Sequence, residues 1–255
     1  GRPMSNDLLQ HRARNYPYER APHSFLFDGG QIQPLPNGVD NMLDGKHPVL
    51  AFGSNAAPEQ LQRKYRDWPD VSFVVTKATL QDYDVVYSAH LTSYGAVPAT
   101  LAPSPDTVLQ TWITWLDDEQ LAHMHTTEMG PGEVDKGGGA DVNYAYGYLQ
   151  DVVLTIEDVV EPVASVGVYL SNYGALALTE NPLAFSRIEA ANRVFDARDK
   201  LDVLQAVRDR LAPDLDLEEF IVAIVEEPAS RSSWGAELKA TAHALEFPDF
   251  VRLVP

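Results

Sequence analysis

The stretch VLAFGSNAAP at residues 49–58 places a short apolar segment before a Gly-Ser-Asn turn and a proline. We interpret the segment as a strand, and Pro58 suits the first turn of a helix that runs to about Tyr65. Such a junction collects free backbone N–H groups, which bind anions together with the positive end of the helix dipole. Gly53 has no Cβ, so a ligand can approach the backbone closely. The stretch therefore predicts a pocket for an anionic small molecule, although Gly-Ser-Asn is also ordinary turn chemistry.

Composition limits the classes of protein to which the chain can belong. Of its 255 residues, 45% are hydrophobic, which is normal for a globular protein with a core. Cysteine is absent, which excludes disulfides, thiolate metal sites and a cysteine nucleophile. There is no run of about 18 apolar residues and no signal-peptide core, so we expect a cytoplasmic protein without a membrane partner. The net charge of −18, from 19 basic and 37 acidic residues, offers no basic footprint for nucleic acid.

Hydrophobic periodicity divides the chain into three segments. Residues 1–46 carry prolines and turn pairs without clear periodicity, so we expect an arm that wraps over the domain in a structural role. Strand patterns dominate the core at residues 47–180, and helical patterns dominate residues 181–255. This order favours an α+β fold in which a helical C-terminal extension packs on the core.

Local patterns predict the individual elements. The predicted strands are Ser24–Phe27, Val71–Lys77, Thr79–Tyr87, Val97–Leu101, Thr107–Leu116, Tyr144–Ile156 and Ala164–Leu170. Further helices are predicted up to about Glu128 after a cap at Asp117 or Asp118, at Leu183–Val194, at Arg198–Leu211, at Leu217–Glu226 with a capping box of Asp216 and Glu219, and at Trp234–Leu245. A glycine-rich loop is predicted at residues 130–139.

Glu128 ends the helix that follows the tryptophan-rich strand, on the face that Leu121 and Met124 share. That face should point inward. A carboxylate there is either desolvated or paired, and desolvation would suit a general acid or base near neutral pH. The alternative is a solvated acid, although an acid near a helix C-terminus opposes the helix dipole.

Other polar residues near these motifs have simpler interpretations. His123 and His125 are two apart on a helix and point to different sides, so we do not expect them to bind a metal together. His125 lies three residues before Glu128 and could contact it. Arg63 and Lys64, on the helix after the Gly-Ser-Asn turn, are interpreted as solvated surface.

Two motifs in order resemble the γ-glutamylcyclotransferase-like family: the strand–FGSN–helix junction and the later helix that ends in Glu128. Between them, ATLQDY at residues 78–83 is similar to the family's A-x-L-x-x-Y strand, and PATLAP at residues 98–103 is similar to its ATL-x-P strand. The family's acid lies in an LDxxEG pattern, whereas residues 124–129 read MHTTEM, which keeps the acid and changes its neighbours. The resemblance covers roughly residues 48–156 and implies a mixed β-sheet or small barrel with flanking helices.

The resemblance also implies an activity, the cyclisation of a γ-glutamyl amide or amine to 5-oxoproline with release of an amine. The α-amine of the substrate is the nucleophile, so Glu128 would only take its proton and return it to the leaving nitrogen. Members of the family place an aromatic residue near Tyr144. The substrate-binding residues that the resemblance implies are Phe52, Gly53, Ser54, Asn55 and Tyr144. No metal or cofactor is expected, and the expected partner is a small γ-glutamyl compound.

Two other classes of function stay open. A protein that binds a small carboxylate without catalysis fits the altered segment around Glu128 and the added helices. A protein-interaction module would instead expose Leu and Val side chains along Arg198–Leu211.

Overall fold

The computed structural model describes residues 5–129 and 143–253, so the predicted loop at residues 130–139 lies outside the described residues. The helices are α1 (Asn6–Asn15), α2 (Asp40–Leu43), α3 (Pro58–Lys64), α4 (Asp118–Met129), α5 (Lys200–Leu211), α6 (Leu217–Glu226) and α7 (Pro228–Ala240), with a 3-10 turn at Ser54–Ala56. The strands are β1 (Phe25–Asp28), β2 (Gln31–Pro34), β3 (His47–Leu50), β4 (Ser72–Tyr87), β5 (Ala99–Leu116), β6 (Tyr144–Leu149), β7 (Leu154–Ile156), β8 (Val166–Ser171), β9 (Ala184–Phe185), β10 (Ala190–Ala191), β11 (Ala197–Arg198) and β12 (Phe250–Arg252).

One mixed sheet organises the molecule, in the order β11-β9-β4-β5-β3-β8-β6-β12. Pairing is parallel between β3 and β8 and between β9 and β11, and it is antiparallel between β4 and β5. The predicted α+β class with a mixed sheet is confirmed. Among the described strands the sheet does not close into a barrel, since β11 and β12 lie at opposite ends of the order.

The long hairpin of β4 and β5 forms the centre of the sheet. Each strand was predicted as two pieces, and each is continuous in the structure. The register shifts between Gln81 and Tyr83, where Asp82 has a φ of 67° and its carboxylate accepts a hydrogen bond from the Asp106 N–H at 2.9 Å. This bulge lets both strands continue past an irregular position. Trp112 and Ile113, on opposite faces of β5, are both buried, as the sequence predicted.

Capping residues explain where two helices begin. Asp117, one of the two predicted caps, accepts from the Gln120 N–H at 2.8 Å, and the Gln120 side chain accepts from the Asp117 N–H at 2.9 Å. The predicted capping box of Asp216 and Glu219 is present at the start of α6. Each reciprocal pair satisfies backbone donors that have no partner within the helix.

The helix predicted at Leu183–Val194 is wrong. This segment instead forms β9 and β10, which pair with β4 and β5. Its backbone groups form hydrogen bonds with the neighbouring strands, for example where the Gln110 N–H donates to the Glu189 carbonyl at 2.9 Å. Arg193 of the same segment binds Asp84, whose side chain is fully buried. Strand pairing and this ion pair override the helical periodicity.

Two further boundaries differ from the predictions. The strand predicted at Tyr144–Ile156 is broken into β6 and β7 around Asp151, which has a φ of 54°. The helix predicted to begin at Trp234 begins at Pro228, a favoured first residue of a helix.

The N-terminal and C-terminal segments each add a strand to the same sheet, and their helices contact each other. β1 pairs with β4, β12 pairs with β6, and α1 contacts α6. On α5, Val203, Leu204 and Val207 are buried and Leu201 alone is exposed, at 39%, so this helix does not show the exposed row of Leu and Val side chains expected for an interaction module. None of the helices within residues 5–129 and 143–253 combines the length and apolar character that crossing a membrane requires.

Candidate functional site

A cavity of about 870 Å³ lies beside the Gly-Ser-Asn turn. All six of the residues assigned to the site from the sequence line it: Phe52, Gly53, Ser54, Asn55, Glu128 and Tyr144. Further parts of its wall come from α1, α3, residues 90–94, β8 and α7. The structure thus brings the predicted site residues to one cavity whose wall extends far beyond them.

Arg20 holds the Gly-Ser-Asn turn from the side of its carbonyl groups. Its guanidinium donates to the carbonyls of Phe52 and Gly53 at 2.6 and 3.0 Å. Burial lowers the pKa of Arg20 to about 10, and the nearby Tyr16 opposes that shift. At this pKa the guanidinium stays charged near neutral pH and fixes the orientation of both peptide groups.

The other side of the turn offers backbone donors. Within the described residues, the N–H groups of Gly53, Ser54 and Asn55 donate no hydrogen bond. Gly53 is required for close packing, because a Cβ there would lie 2.9 Å from the Tyr16 hydroxyl. Gly53 caps the 3-10 turn and Ser54 and Asn55 belong to it, so these donors precede α3, which begins at Pro58 as predicted. A cluster of unpaired N–H groups of this kind suits an anionic group.

Glu128 extends from the last turn of α4 to the Gly-Ser-Asn turn. Its Oε1 accepts from Asn55 Nδ2 at 2.7 Å and forms an ion pair with Lys64. The Lys64 and Glu128 side chains are only 8% and 15% exposed. Of the two states that the sequence allowed for this carboxylate, the structure adopts the paired one. Both contacts use Oε1, and within the described residues Oε2 has no hydrogen-bond partner.

Asn55 carries a second polar atom of interest. Its Oδ1 is buried and has no partner in the described part of the chain, while its Nδ2 is used by Glu128. A buried amide oxygen without a donor is costly. Asn55 Oδ1 and Glu128 Oε2 are therefore two unused acceptors on neighbouring side chains that both line the cavity.

Two tyrosines bracket the backbone of Ala99 at the cavity wall. The Ala99 N–H donates to the Tyr16 hydroxyl at 2.9 Å, and the Tyr144 hydroxyl donates to the Ala99 carbonyl at 3.4 Å. Burial raises the pKa of both hydroxyls far above the ordinary value of a tyrosine. Both hydroxyls thus stay protonated, and they are positioning groups rather than bases.

His90 is a buried histidine at the same cavity. Its Nδ1 lies 2.7 Å from the Ser88 hydroxyl, and its ring stacks on Tyr173 at 4.5 Å. Burial lowers the pKa of His90 to about 3. His90 is therefore neutral near pH 7 and contributes a hydrogen-bonding ring without charge.

The two histidines of α4 bind different partners. His123 Nε2 lies 2.6 Å from the Lys64 carbonyl, whereas His125 Nδ1 lies 2.7 Å from the Tyr169 hydroxyl. Burial lowers the pKa of His125, and the charge of Glu128 partly opposes this shift. In the described ranges, no three His, Cys, Asp or Glu side chains are grouped so that they could hold a metal ion.

Sequence reasoning missed several residues of the wall. Lys64, interpreted as solvated surface, is buried against Glu128 because α3 turns that side of the helix toward α4. Arg63 is 19% exposed and pairs with Glu59. Arg12 and Tyr16 come from the arm, to which we gave a structural role. On α7, the spacing of Arg231, Gly235 and Lys239 by four residues was the signal that could have revealed a shared face.

Comparisons with known proteins find one weak structural likeness and no match in sequence. No protein-family model matches the chain, and no curated protein matches its sequence. A solved structure titled "Gamma-glutamyl cyclotransferase" is 16% identical in sequence, and the match covers 82% of this chain and 94% of that one with a TM-score of 0.34. A likeness this weak carries no weight for mechanism, so the function has to be inferred from the chemistry of the cavity.

Proposed function

We propose that the chain is a γ-glutamylcyclotransferase-like enzyme that converts a γ-glutamyl amide to 5-oxoproline and releases an amine. The observation that supports this most is the contact of Glu128 with Asn55 of the Gly-Ser-Asn turn on the wall of one cavity. A proton-accepting group and a set of backbone donors are thus adjacent, as this reaction requires.

The two unused acceptors suit the α-ammonium of the substrate. Glu128 Oε2 and Asn55 Oδ1 have no hydrogen-bond partner within the described residues, and an ammonium has three N–H donors. An ammonium bound between them would satisfy a buried amide oxygen that is otherwise unpaired. It would also stand in contact with the carboxylate that has to take its proton.

The backbone donors suit the negative charges of the substrate. The free N–H groups of Gly53, Ser54 and Asn55 can bind the α-carboxylate or the oxyanion that develops on the γ-carbonyl. Arg20 fixes the opposite side of the same peptides, so these donors need little reorganisation. Phe52 and Tyr144 complete the substrate contacts in this proposal.

The reaction then proceeds within the substrate. Glu128 removes a proton from the α-ammonium, and the amine attacks the γ-carbonyl carbon to close a five-membered ring. The tetrahedral intermediate collapses as the bond to the leaving nitrogen breaks, and Glu128 returns the first proton to that nitrogen. The ring nitrogen gives up its second proton to the departing amine, which leaves as an ammonium. Because nucleophile and electrophile belong to one molecule, positioning supplies much of the rate. The Lys64 ammonium holds the carboxylate in place.

The test is the release of 5-oxoproline from a panel of γ-glutamyl compounds, measured by mass spectrometry. We expect Glu128→Gln to lower turnover by about 10²- to 10⁴-fold with the near-UV spectrum of the folded protein retained. Glu59→Gln is the matched control, because Glu59 pairs with Arg63 on α3 and does not line the cavity. Undiminished turnover by Glu128→Gln would contradict the assignment. The cytoplasmic location and the γ-glutamyl partner stay predictions.

One observation favours a second candidate, a protein that binds a small carboxylate without catalysis. Lys64 already pairs with Glu128, which leaves a carboxylate that is engaged before any substrate arrives. In that case calorimetry would detect binding of a γ-glutamyl compound to wild-type protein that releases no 5-oxoproline from it.

A further inference from the structure

The charge of the cavity is opposite to that of the protein. The chain has a net charge of −18, yet six basic side chains line the cavity: Arg12, Arg63, Lys64, Arg66, Arg231 and Lys239. Among the described lining residues the only carboxylate is that of Glu128. A strongly acidic protein that concentrates cations at one cavity has a site built for negative charge.

Most of these cations are not neutralised by the protein. Lys64 pairs with Glu128 and Arg63 with Glu59. In the described part of the chain, Arg12, Arg66, Arg231 and Lys239 form no ion pair with a carboxylate. Arg12 is on α1, Arg66 follows α3, and Arg231 and Lys239 are on α7, so the excess of positive charge comes from three parts of the chain rather than from one helix.

The α7 wall is open toward the cavity. Arg231, Gly235 and Lys239 are four residues apart and share one helical face. Gly235 is buried, but a Cβ built there would meet nothing within 4 Å. Space is therefore left between the two cations. Arg231 Nη1 donates to the Ile224 and Val225 carbonyls at 2.6 and 3.4 Å, so an anionic group there can be held by the other guanidinium N–H groups and by Lys239.

Arg12, on α1, presents an unsatisfied donor at the same cavity. Its guanidinium lies 4.5 Å from the centre of the Tyr94 ring. Its Nε is buried and has no hydrogen-bond partner within the described residues. Stacking on an aromatic face fixes the plane of a guanidinium while leaving its N–H fork for an oxyanion.

A γ-glutamyl group alone does not balance this charge. Its ammonium and its α-carboxylate sum to zero, and both are used near Glu128 and the Gly-Ser-Asn turn in the proposed function. The cavity of about 870 Å³ also lies in the upper part of the range of about 300–1,000 Å³ for small-molecule sites. The remaining space and the remaining cations are available to the other half of the substrate.

We propose that the leaving amine carries at least two negative charges, as a phosphate or as two carboxylates, bound by Arg12, Arg231 and Lys239. This inference rests on the proposed function for the reaction, but the anion-binding wall stands on its own observations. It predicts that neutral and singly charged amines are poor leaving halves.

The first experiment compares matched substrates, γ-glutamyl-ethanolamine against γ-glutamyl-O-phosphoethanolamine and γ-glutamyl-alanine against γ-glutamyl-aspartate. We expect kcat/KM to be at least about tenfold higher for the more anionic member of each pair, and the preference to shrink as ionic strength rises. In Arg231→Gln/Lys239→Gln the preference should fall several-fold. Arg252→Gln, an exposed cation on β12 outside the cavity, should keep it. Equal kcat/KM within both pairs would overturn the inference while leaving the cyclotransferase activity intact.

The second experiment separates the anion site from catalysis. Pyrophosphate and tricarballylate are titrated by calorimetry into wild type, Glu128→Gln and Arg231→Gln/Lys239→Gln. Binding to the first two with at least about tenfold weaker binding to the third would support the anion-binding wall, even if no γ-glutamyl compound is turned over. The wall is ruled out if neither anion binds wild-type protein, or if the double variant binds as well as wild type.

Discussion

Lys64 reaches Oε1 of Glu128 from the helix that follows the Gly-Ser-Asn turn, and Asn55 of that turn donates to the same oxygen. The turn, α3 and the end of α4 are thereby tied together through one carboxylate atom. The arrangement holds Glu128 by one oxygen and leaves the other without a partner among the described residues, and this follows from where α3 lies rather than from the residues around Glu128 in sequence.

The first prediction concerns the energetic coupling of this ion pair. Lys64→Met leaves the largely buried Glu128 carboxylate without its cation, and Glu128→Gln leaves the Lys64 ammonium without its carboxylate. We expect each single variant to lower the free energy of unfolding, and the double variant to lose less than the sum by about 1–3 kcal/mol. Urea unfolding of the four proteins measures this coupling. A coupling of zero would mean that the pair contributes nothing to the folded state.

Arg20 provides a test of the turn itself. Arg20→Gln removes the donors to the Phe52 and Gly53 carbonyls, so the free energy of unfolding should fall by about 1–3 kcal/mol. Backbone amide resonances of residues 52–55 should shift. Arg14→Gln is the control, because it removes a bond to Gln10 within α1. Unchanged resonances at the turn would show that Arg20 does not set its conformation.

His90 makes stability depend on pH. Its pKa is about 3 in the folded protein, below the ordinary value of about 6.5. Between about pH 6.5 and 3 the unfolded chain binds a proton that the folded protein does not. Stability from this group is therefore complete above about pH 6.5 and falls as pH decreases, by at most about 1.4 kcal/mol per pH unit. Unfolding at pH 7.5, 6.0 and 5.0 should show a shallower pH slope for His90→Gln than for wild type, and equal slopes would refute the prediction.

The conformation of the segment at residues 183–194, which forms β9 and β10, depends on Arg193. Arg193→Gln leaves Asp84 fully buried without its cation and should cost about 3–5 kcal/mol of the free energy of unfolding. Arg187→Gln is the control from the same segment, because Arg187 is 70% exposed in its pair with Asp199 and should cost less than about 1 kcal/mol. Thermal or urea unfolding compares them. Similar losses in both variants would mean that the buried pair does not hold this segment.

Substitution by alanine should have opposite effects on stability at Gly235 and at Gly147. Gly235→Ala adds a Cβ that meets nothing within 4 Å, and alanine is the better helix former, so stability should rise by about 1 kcal/mol. Gly147→Ala places a Cβ 2.3 Å from the Val251 carbonyl oxygen and should cost about 1–3 kcal/mol. Melting temperatures compare the pair, and a destabilised Gly235→Ala would show that α7 lies closer to the opposite wall.

Local sequence patterns predicted what depends on neighbours along the chain. The Gly-Ser-Asn turn before Pro58, the caps of α4 and α6 and the two covered faces of β5 each follow from a few adjacent residues. The helix predicted at Leu183–Val194 is wrong because Asp84 fixes the conformation of this segment through Arg193, which lies more than a hundred residues later in the chain. Lys64 was missed for the same reason, since its burial depends on where α4 packs. The α7 spacing indicates only a shared helical face, and the basic wall as a whole could not be predicted, because the fold alone brings Arg12 and Lys239 from opposite ends of the sequence to one cavity.

The separation of Arg12 from Lys239 along the chain has a consequence during synthesis. A chain emerging from the ribosome can form the β4–β5 hairpin early, because its contacts are local, and domains begin to fold from the N-terminal side. The cavity gains its α7 wall only after residue 239 has left the exit tunnel. Anion binding by the complete wall therefore cannot assist the early stages of folding, and a chain released before α7 is made carries Glu128 and Arg12 but not Arg231 and Lys239.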